Sequence, residues 1–173
     1  MADSIHGMQG AARAAAVALI VGAGGPAAAA EVVFGLGYTD FTTNAAENST
    51  LAEVEIHGDP FTRIGEVDLS WAAAVAVHQS DDYWIGAGIS GLYEFGTNRD
   101  WFIEASAMPG CYHADEEAND LGSNFEARLL LGIGRRIRPN NRLSVAFEHK
   151  SNDSTAKRNP GVNSVALRIR RSF

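Results

Sequence analysis

LSVAFEHKSN, residues 143–152, alternates with the period of two that a β-strand imposes on its side chains. Val145, Phe147, His149 and Ser151 fall on one face, and Ser144, Ala146, Glu148 and Lys150 on the other. That order inverts a soluble sheet, because a histidine and a serine continue the apolar row while charges line the opposite row. An imidazole two residues from a hydroxyl on one face can form a base–nucleophile pair. An isolated His-x-Ser is more often an ordinary strand end running into a polar loop, so the surrounding chain decides.

Working outward, the chain from Glu31 onward repeats this pattern, with no helical period. Segment one places Val32, Phe34, Leu36 and Tyr38 opposite Gly35 and Gly37. Segment two sets Ala52, Val54 and Ile56 against Glu53, Glu55 and His57. Segment three is the clearest: Val67, Leu69, Trp71, Ala73, Val75 and Val77 oppose Glu66, Asp68, Ser70 and three alanines. Segment four carries Ile85, Ala87 and Ile89, and segment five Trp101, Ile103, Ala105 and Ala107. Segment six sets Phe125, Ala127, Leu129, Leu131 and Ile133 against Glu126, Arg128 and two glycines. The opening stretch is segment seven, and segment eight runs from Val162 to Phe173.

Turn chemistry at Pro60, Gly96-Thr97-Asn98 and Pro139-Asn140-Asn141 marks tight connections after even-numbered segments. Longer polar loops follow the first, fifth and seventh segments, around Asn44–Thr50, Tyr112–Ser123 and Asn152–Pro160. Short turns at one end and longer loops at the other fit a transmembrane barrel whose short turns are periplasmic. Residues 1–30 have the layout of a cleaved signal peptide: Arg13, a short apolar run and an A-x-A site at Ala28-Ala29-Ala30. The expected organisation is therefore a signal at 1–30 and one barrel domain at 31–173.

Alternation alone does not separate an outer-membrane barrel from a soluble, lipocalin-like carrier, which turns its apolar row inward around a ligand. The export signal, the aromatic residues near strand ends and the terminal Phe173, which resembles the closing signature of bacterial outer-membrane barrels, favour the membrane version. The expected fold is an all-β, eight-stranded antiparallel up-and-down transmembrane barrel. Its narrow lumen is filled by side chains: Glu66, Asp68, Glu104, Glu126 and Glu148 against Arg128, Lys150, Arg168 and Arg170.

The formal net charge of −7 gives no support to nucleic-acid binding, which shows as a basic face. The single cysteine, Cys111, excludes an internal disulfide and reads as a small packing residue. His113 with Asp115, Glu116 and Glu117 has no metal-ligand spacing and reads as a solvated loop. No metal or other cofactor is expected.

Strand seven of such a barrel runs outward, so His149 and Ser151 belong at its extracellular end, on the lipid-facing row. Polar groups facing lipid are unfavourable unless they serve a function. A serine nucleophile at that depth meets lipid esters, and in a Gram-negative outer leaflet the abundant ester-bearing lipid is lipid A.

His149-Lys150-Ser151-Asn152, Asn159-Pro160-Gly161 and a last strand ending in Phe173 resemble the C-terminal motif of the lipid A 3-O-deacylases, eight-stranded outer-membrane barrels. The motif covers about 25 residues. The resemblance implies a serine esterase acting on lipopolysaccharide, with His149 as general base and Ser151 as nucleophile. The family's triad is completed by a glutamate early in the last strand; the position in register here is Asn163, on the row of Val165 and Leu167. An amide orients an imidazole but brings no charge. Asp153 is the alternative orienter, while Glu148 points into the barrel. Asn152 is a candidate oxyanion donor, and Lys157 and Arg158 are candidates for lipid phosphates. The amide at 163 leaves open a structural or adhesion barrel with a decayed site.

Overall fold

The computed structural model describes residues 31–41 and 48–173. The expected signal peptide and residues 42–47 of the first loop lie outside the described residues. The strands are β1 (Glu31–Phe41), β2 (Ser49–Ile64), β3 (Val67–His78), β4 (Tyr83–Phe95), β5 (Trp101–Met108), β6 (Gly110–His113), β7 (Ala127–Arg138), β8 (Asn141–Ser151) and β9 (Val162–Ser172). Neighbours pair antiparallel, β1 lies against β9, and the β3–β4 pairing closes the sheet.

Closure yields eight staves, because β5 and β6 are two halves of one. Both pair with β4, β5 against Ile89–Phe95 and β6 against Tyr83–Gly86. Pro109 separates them; lacking an N–H, it interrupts the ladder, and its carbonyl accepts from Ala87 N–H at 3.2 Å.

The alternation resolves as the membrane architecture requires. Leu36, Trp71 and Leu131 on the outer wall are 71%, 62% and 61% exposed. Glu148, Lys150, Arg128 and Arg168 on the opposite row are buried. A lipocalin-like carrier needs the reverse, so that alternative is excluded. Toward the loop end the lumen is closed by an apolar cluster that includes Leu51, Trp84, Met108, Tyr112 and Leu121. Trp84 is thus a plug rather than an interface anchor. Its indole fits because Gly86 and Gly110 bear no side chain: a Cβ at either would overlap the ring.

Below that cluster the lumen is ionic. Arg128 contacts Glu53 at 3.1 Å and Glu55 at 2.5 Å, and Arg168 contacts Glu55 at 3.1 Å and Glu53 at 3.4 Å. Arg170 reaches Glu104 at 2.7 Å and Lys150 lies 3.6 Å from Glu148. Burying one such ion costs several kcal/mol, so each charge needs its counter-charge close by.

Four expectations need correction. Pro60 is not at a turn: β2 runs to Ile64, and Pro60 sits at a register shift, where a missing N–H is tolerated. The hairpin is the two-residue Gly65-Glu66 loop, with Gly65 at φ +61°. Glu66 accordingly leaves the lumen and is exposed in that loop, while Asp68 stays on the inner row, at the edge of the cavity near the short turns, but pairs with Arg63 at 2.7 Å rather than with the core arginines. Their places opposite Arg128 and Arg168 are taken by Glu53 and Glu55. Cys111 packs into no core, being exposed on the outer face beside Phe125.

Candidate active site

The site is built where β8 and β9 reach the loop end of the barrel. Antiparallel register sets His149 directly opposite Asn163 on β9 and Leu129 on β7, and Ser151 opposite Ala127. His149, Ser151 and Asn163 are all partly exposed on the outer wall, above the apolar residues Phe147 and Val165. The His149 ring is fixed by a hydrogen bond of 2.8 Å between Nδ1 and Asn163 Oδ1. An amide oxygen only accepts, so Nδ1 carries the proton and Nε2 keeps its lone pair. Ser151 lies two residues on, on the same face, as strand periodicity requires.

Gly161 completes the enclosure of the ring. It adopts φ +65°, and a Cβ there would come within 3.1 Å of His149 Cε1. Asn-Pro-Gly is legible as a motif, but the contact of its glycine with the imidazole is not. Gly161→Ala would bring left-handed strain of roughly 1–2 kcal/mol and press on the ring. We expect it to lower turnover by about tenfold with a smaller effect on substrate binding, measured as separate kcat and KM.

The loop from Asn152 to Gly161 is tied down from beneath. The Asn152 side chain is buried on the luminal side, where the two hydrogens of its NH₂ serve Leu121 O at 3.0 Å and Arg158 O at 2.9 Å, one of them shared with Glu126 Oε1 at 3.3 Å. Its backbone N–H donates to Asn159 Oδ1 at 3.1 Å. The expected oxyanion role of the Asn152 carboxamide therefore does not match its placement, because the amide faces away from Ser151 and its donors are engaged. What Asn152 holds is the loop, which turns sharply through Asp153 and Ser154, at φ +51° and +61°, under a Thr155 Oγ1 bond of 2.7 Å to Asn152 O. Burial pushes the Glu126 carboxyl, in the loop before β7, up to about 7, although the Asn152 amide draws it down.

The other expected residues fall around this core. Asp153 is exposed in the turn, and Nδ1 of His149 is already engaged by Asn163. Glu148 lies in the lumen, on the far side of the wall. Lys157 and Arg158 are exposed on the loop, the latter 3.8 Å from Asp120.

A model of the family described as lipid A 3-O-deacylase (PagL) matches residues 50–172. Among solved structures, the outer membrane enzyme PagL superposes with a TM-score of 0.68 at 18% identity, covering 83% of this chain and all of that one. A de novo designed transmembrane β-barrel gives 0.55 at 15% identity, covering 83% and 93%. Neisserial surface protein A gives 0.53 at 13% identity, covering 83% and 95%. At these identities the structural likenesses show the fold. No curated protein matches the chain in sequence.

Proposed function

Because the chain belongs to the lipid A 3-O-deacylase (PagL) family, and is thereby a lipid A deacylase, we propose that it hydrolyses the 3-O-linked acyl ester from the bacterial outer membrane with Ser151, His149 and Asn163. The observation that carries the assignment is the 2.8 Å bond from His149 Nδ1 to Asn163 Oδ1, which leaves Nε2 basic on the face shared with Ser151. Ser151 Oγ attacks the ester carbonyl as its proton passes to Nε2. The tetrahedral adduct collapses, and the 3-hydroxyl of lipid A leaves with that proton. Water, deprotonated by the same nitrogen, then releases the fatty acid and restores Ser151. Every proton movement uses this chain's own groups, so no cofactor enters.

Placement on the outer wall gives the site its substrate. Acyl chains can lie along Leu131, Phe147 and Val165 while the ester meets Ser151 at headgroup depth. Lys157 and Arg158, on the loop above, supply the positive charge that lipid phosphates require.

The alternative of a decayed barrel rests on the amide at position 163, and variants of that residue test it. An amide in place of the acid in a serine protease triad lowers turnover about 10⁴-fold, chiefly through the wrong tautomer. Here the amide oxygen faces Nδ1, so the tautomer is right and only the charge is missing. We expect Asn163→Ala to lower deacylation by roughly 10- to 1000-fold and Asn163→Glu to keep or raise it. Release of 3-hydroxy fatty acid from lipid A in mixed micelles measures both. Parent-like activity in Asn163→Ala would remove Asn163 from the triad; an inactive parent restored by Asn163→Glu would favour decay.

A further inference from the structure

A second serine–histidine pair lies inside the barrel, at the end opposite the loops. His57, on β2, is buried, with Nε2 2.6 Å from Glu55 Oε1 and Nδ1 2.9 Å from Ser90 Oγ on β4. The other oxygen of Glu55 is held by Arg128 and Arg168, which aim Oε1 at the ring. Arg170 NH1 also faces Nδ1, at 3.2 Å. A guanidinium only donates, so Nδ1 must carry the lone pair and Nε2 the proton given to Glu55. Ser90 Oγ, the nearer of the two donors, can then give its hydroxyl hydrogen to that one lone pair, which it shares with the longer contact from Arg170 NH1, itself held by Glu31. This is the hydrogen-bond order of a serine–histidine–carboxylate triad, with the two ring nitrogens exchanged relative to the serine proteases.

Three groups in that order inside a sealed core would be packing only. These are not sealed: His57, Ser90 and Arg170 line a cavity of about 260 Å³ near the short-turn end, which Glu31, Arg142 and Ser172 also border. That space takes a small molecule and excludes an acylated disaccharide.

We propose that Ser90, His57 and Glu55 form a second, luminal esterase site for small, short-chain carboxylic esters. Ser90 Oγ attacks the ester carbonyl and its proton moves to His57 Nδ1. Glu55 balances the imidazolium, and the Arg170 guanidinium supplies positive charge beside the oxyanion. Collapse expels the alcohol with the proton from Nδ1. Water, giving its proton to Nδ1, then cleaves acyl-Ser90 to a carboxylic acid, and the proton returns to Oγ. The carboxylate missing from the outer-wall triad is thus present in this one. The proposal is independent of the lipid A site, since the residues and the end of the barrel differ.

The test starts from the full chain carrying Ser151→Ala, folded in detergent, with barrel closure verified by heat-modifiable gel migration. Treatment with diisopropyl fluorophosphate followed by peptide mapping should place the label on Ser90. Labelling should vanish in Ser151→Ala/Ser90→Ala and fall about tenfold or more in Ser151→Ala/His57→Gln. Hydrolysis of p-nitrophenyl acetate should follow the same order. In an otherwise native chain, Ser90→Ala should leave lipid A deacylation unchanged. A folded Ser151→Ala barrel whose Ser90 stays unlabelled, and whose p-nitrophenyl acetate hydrolysis survives Ser90→Ala, overturns the proposal and leaves the lipid A assignment untouched. Because Ser90→Ala removes one hydroxyl only, the result does not depend on the His57 variant folding.

Discussion

Ser151→Ala should abolish release of 3-hydroxy fatty acid from lipid A, with a fall in kcat on the order of 10⁴- to 10⁶-fold. His149→Ala should match it, because the two act as one unit: without the base the hydroxyl keeps its proton, and without the hydroxyl the base has no nucleophile to activate. Neither change should disturb the barrel. Both side chains are partly exposed at a strand end of the outer wall, and their backbone pairs in the ladder are kept. Heat-modifiable migration and far-ultraviolet dichroism check the fold while mass spectrometry of the released acid checks turnover. A Ser151→Ala enzyme with parental turnover would mean that another group attacks the ester.

The largest stability effect belongs to the lumen. Arg128 is fully buried between Glu53 and Glu55, with Glu148 3.9 Å away and the face of Trp84 5.1 Å from its guanidinium. Arg128→Met keeps much of the volume and removes the charge, leaving carboxylates buried with less to balance them. Breaking such a pair from one side typically costs about 3–5 kcal/mol. Urea unfolding in lipid vesicles should show that loss as an earlier midpoint at an unchanged m-value. A change below about 1 kcal/mol would mean that water or protonation relieves the network. His149 and Ser151 stand on the opposite face of the wall, so variants that still fold should keep those two residues in register.

The period of two is legible because a membrane barrel has only two environments, lipid and lumen, and each strand samples them alternately. Residues such as Leu129, Leu131 and Ile133 on one side and Arg128 on the other therefore declare the wall without any knowledge of register. The pairing of His149 with Asn163 is legible for a related reason. Counting back along the last strand from Leu167 through Val165 keeps Asn163 on the outer row, and the antiparallel pairing of the last two strands brings it beside His149.

What the pattern hides are contacts that depend on strand stagger around the barrel. Glu53 and Glu55 are far in sequence from Arg128 and Arg168, and the shear that places them level is not written in either segment. Pro60 carries a turn signal, yet a register shift absorbs it within β2, and Gly65 makes the turn. Trp84 reads as an interface aromatic by composition, but its parity on β4 and the two glycines beside it turn it inward. Asn152 reads as a partner of Ser151 because the two are adjacent in sequence, whereas alternation sends position 152 to the luminal side.

Mass spectrometry of lipid A from Gram-negative cells expressing the full chain tests the central claim most directly. Expression of the parent should remove one 3-hydroxyacyl chain from the 3-position of lipid A. Cells expressing Ser151→Ala at equal level in the outer membrane should keep that chain. Lipid A that stays unchanged in cells where the parent is folded in the outer membrane would contradict the assignment of this barrel as an active deacylase.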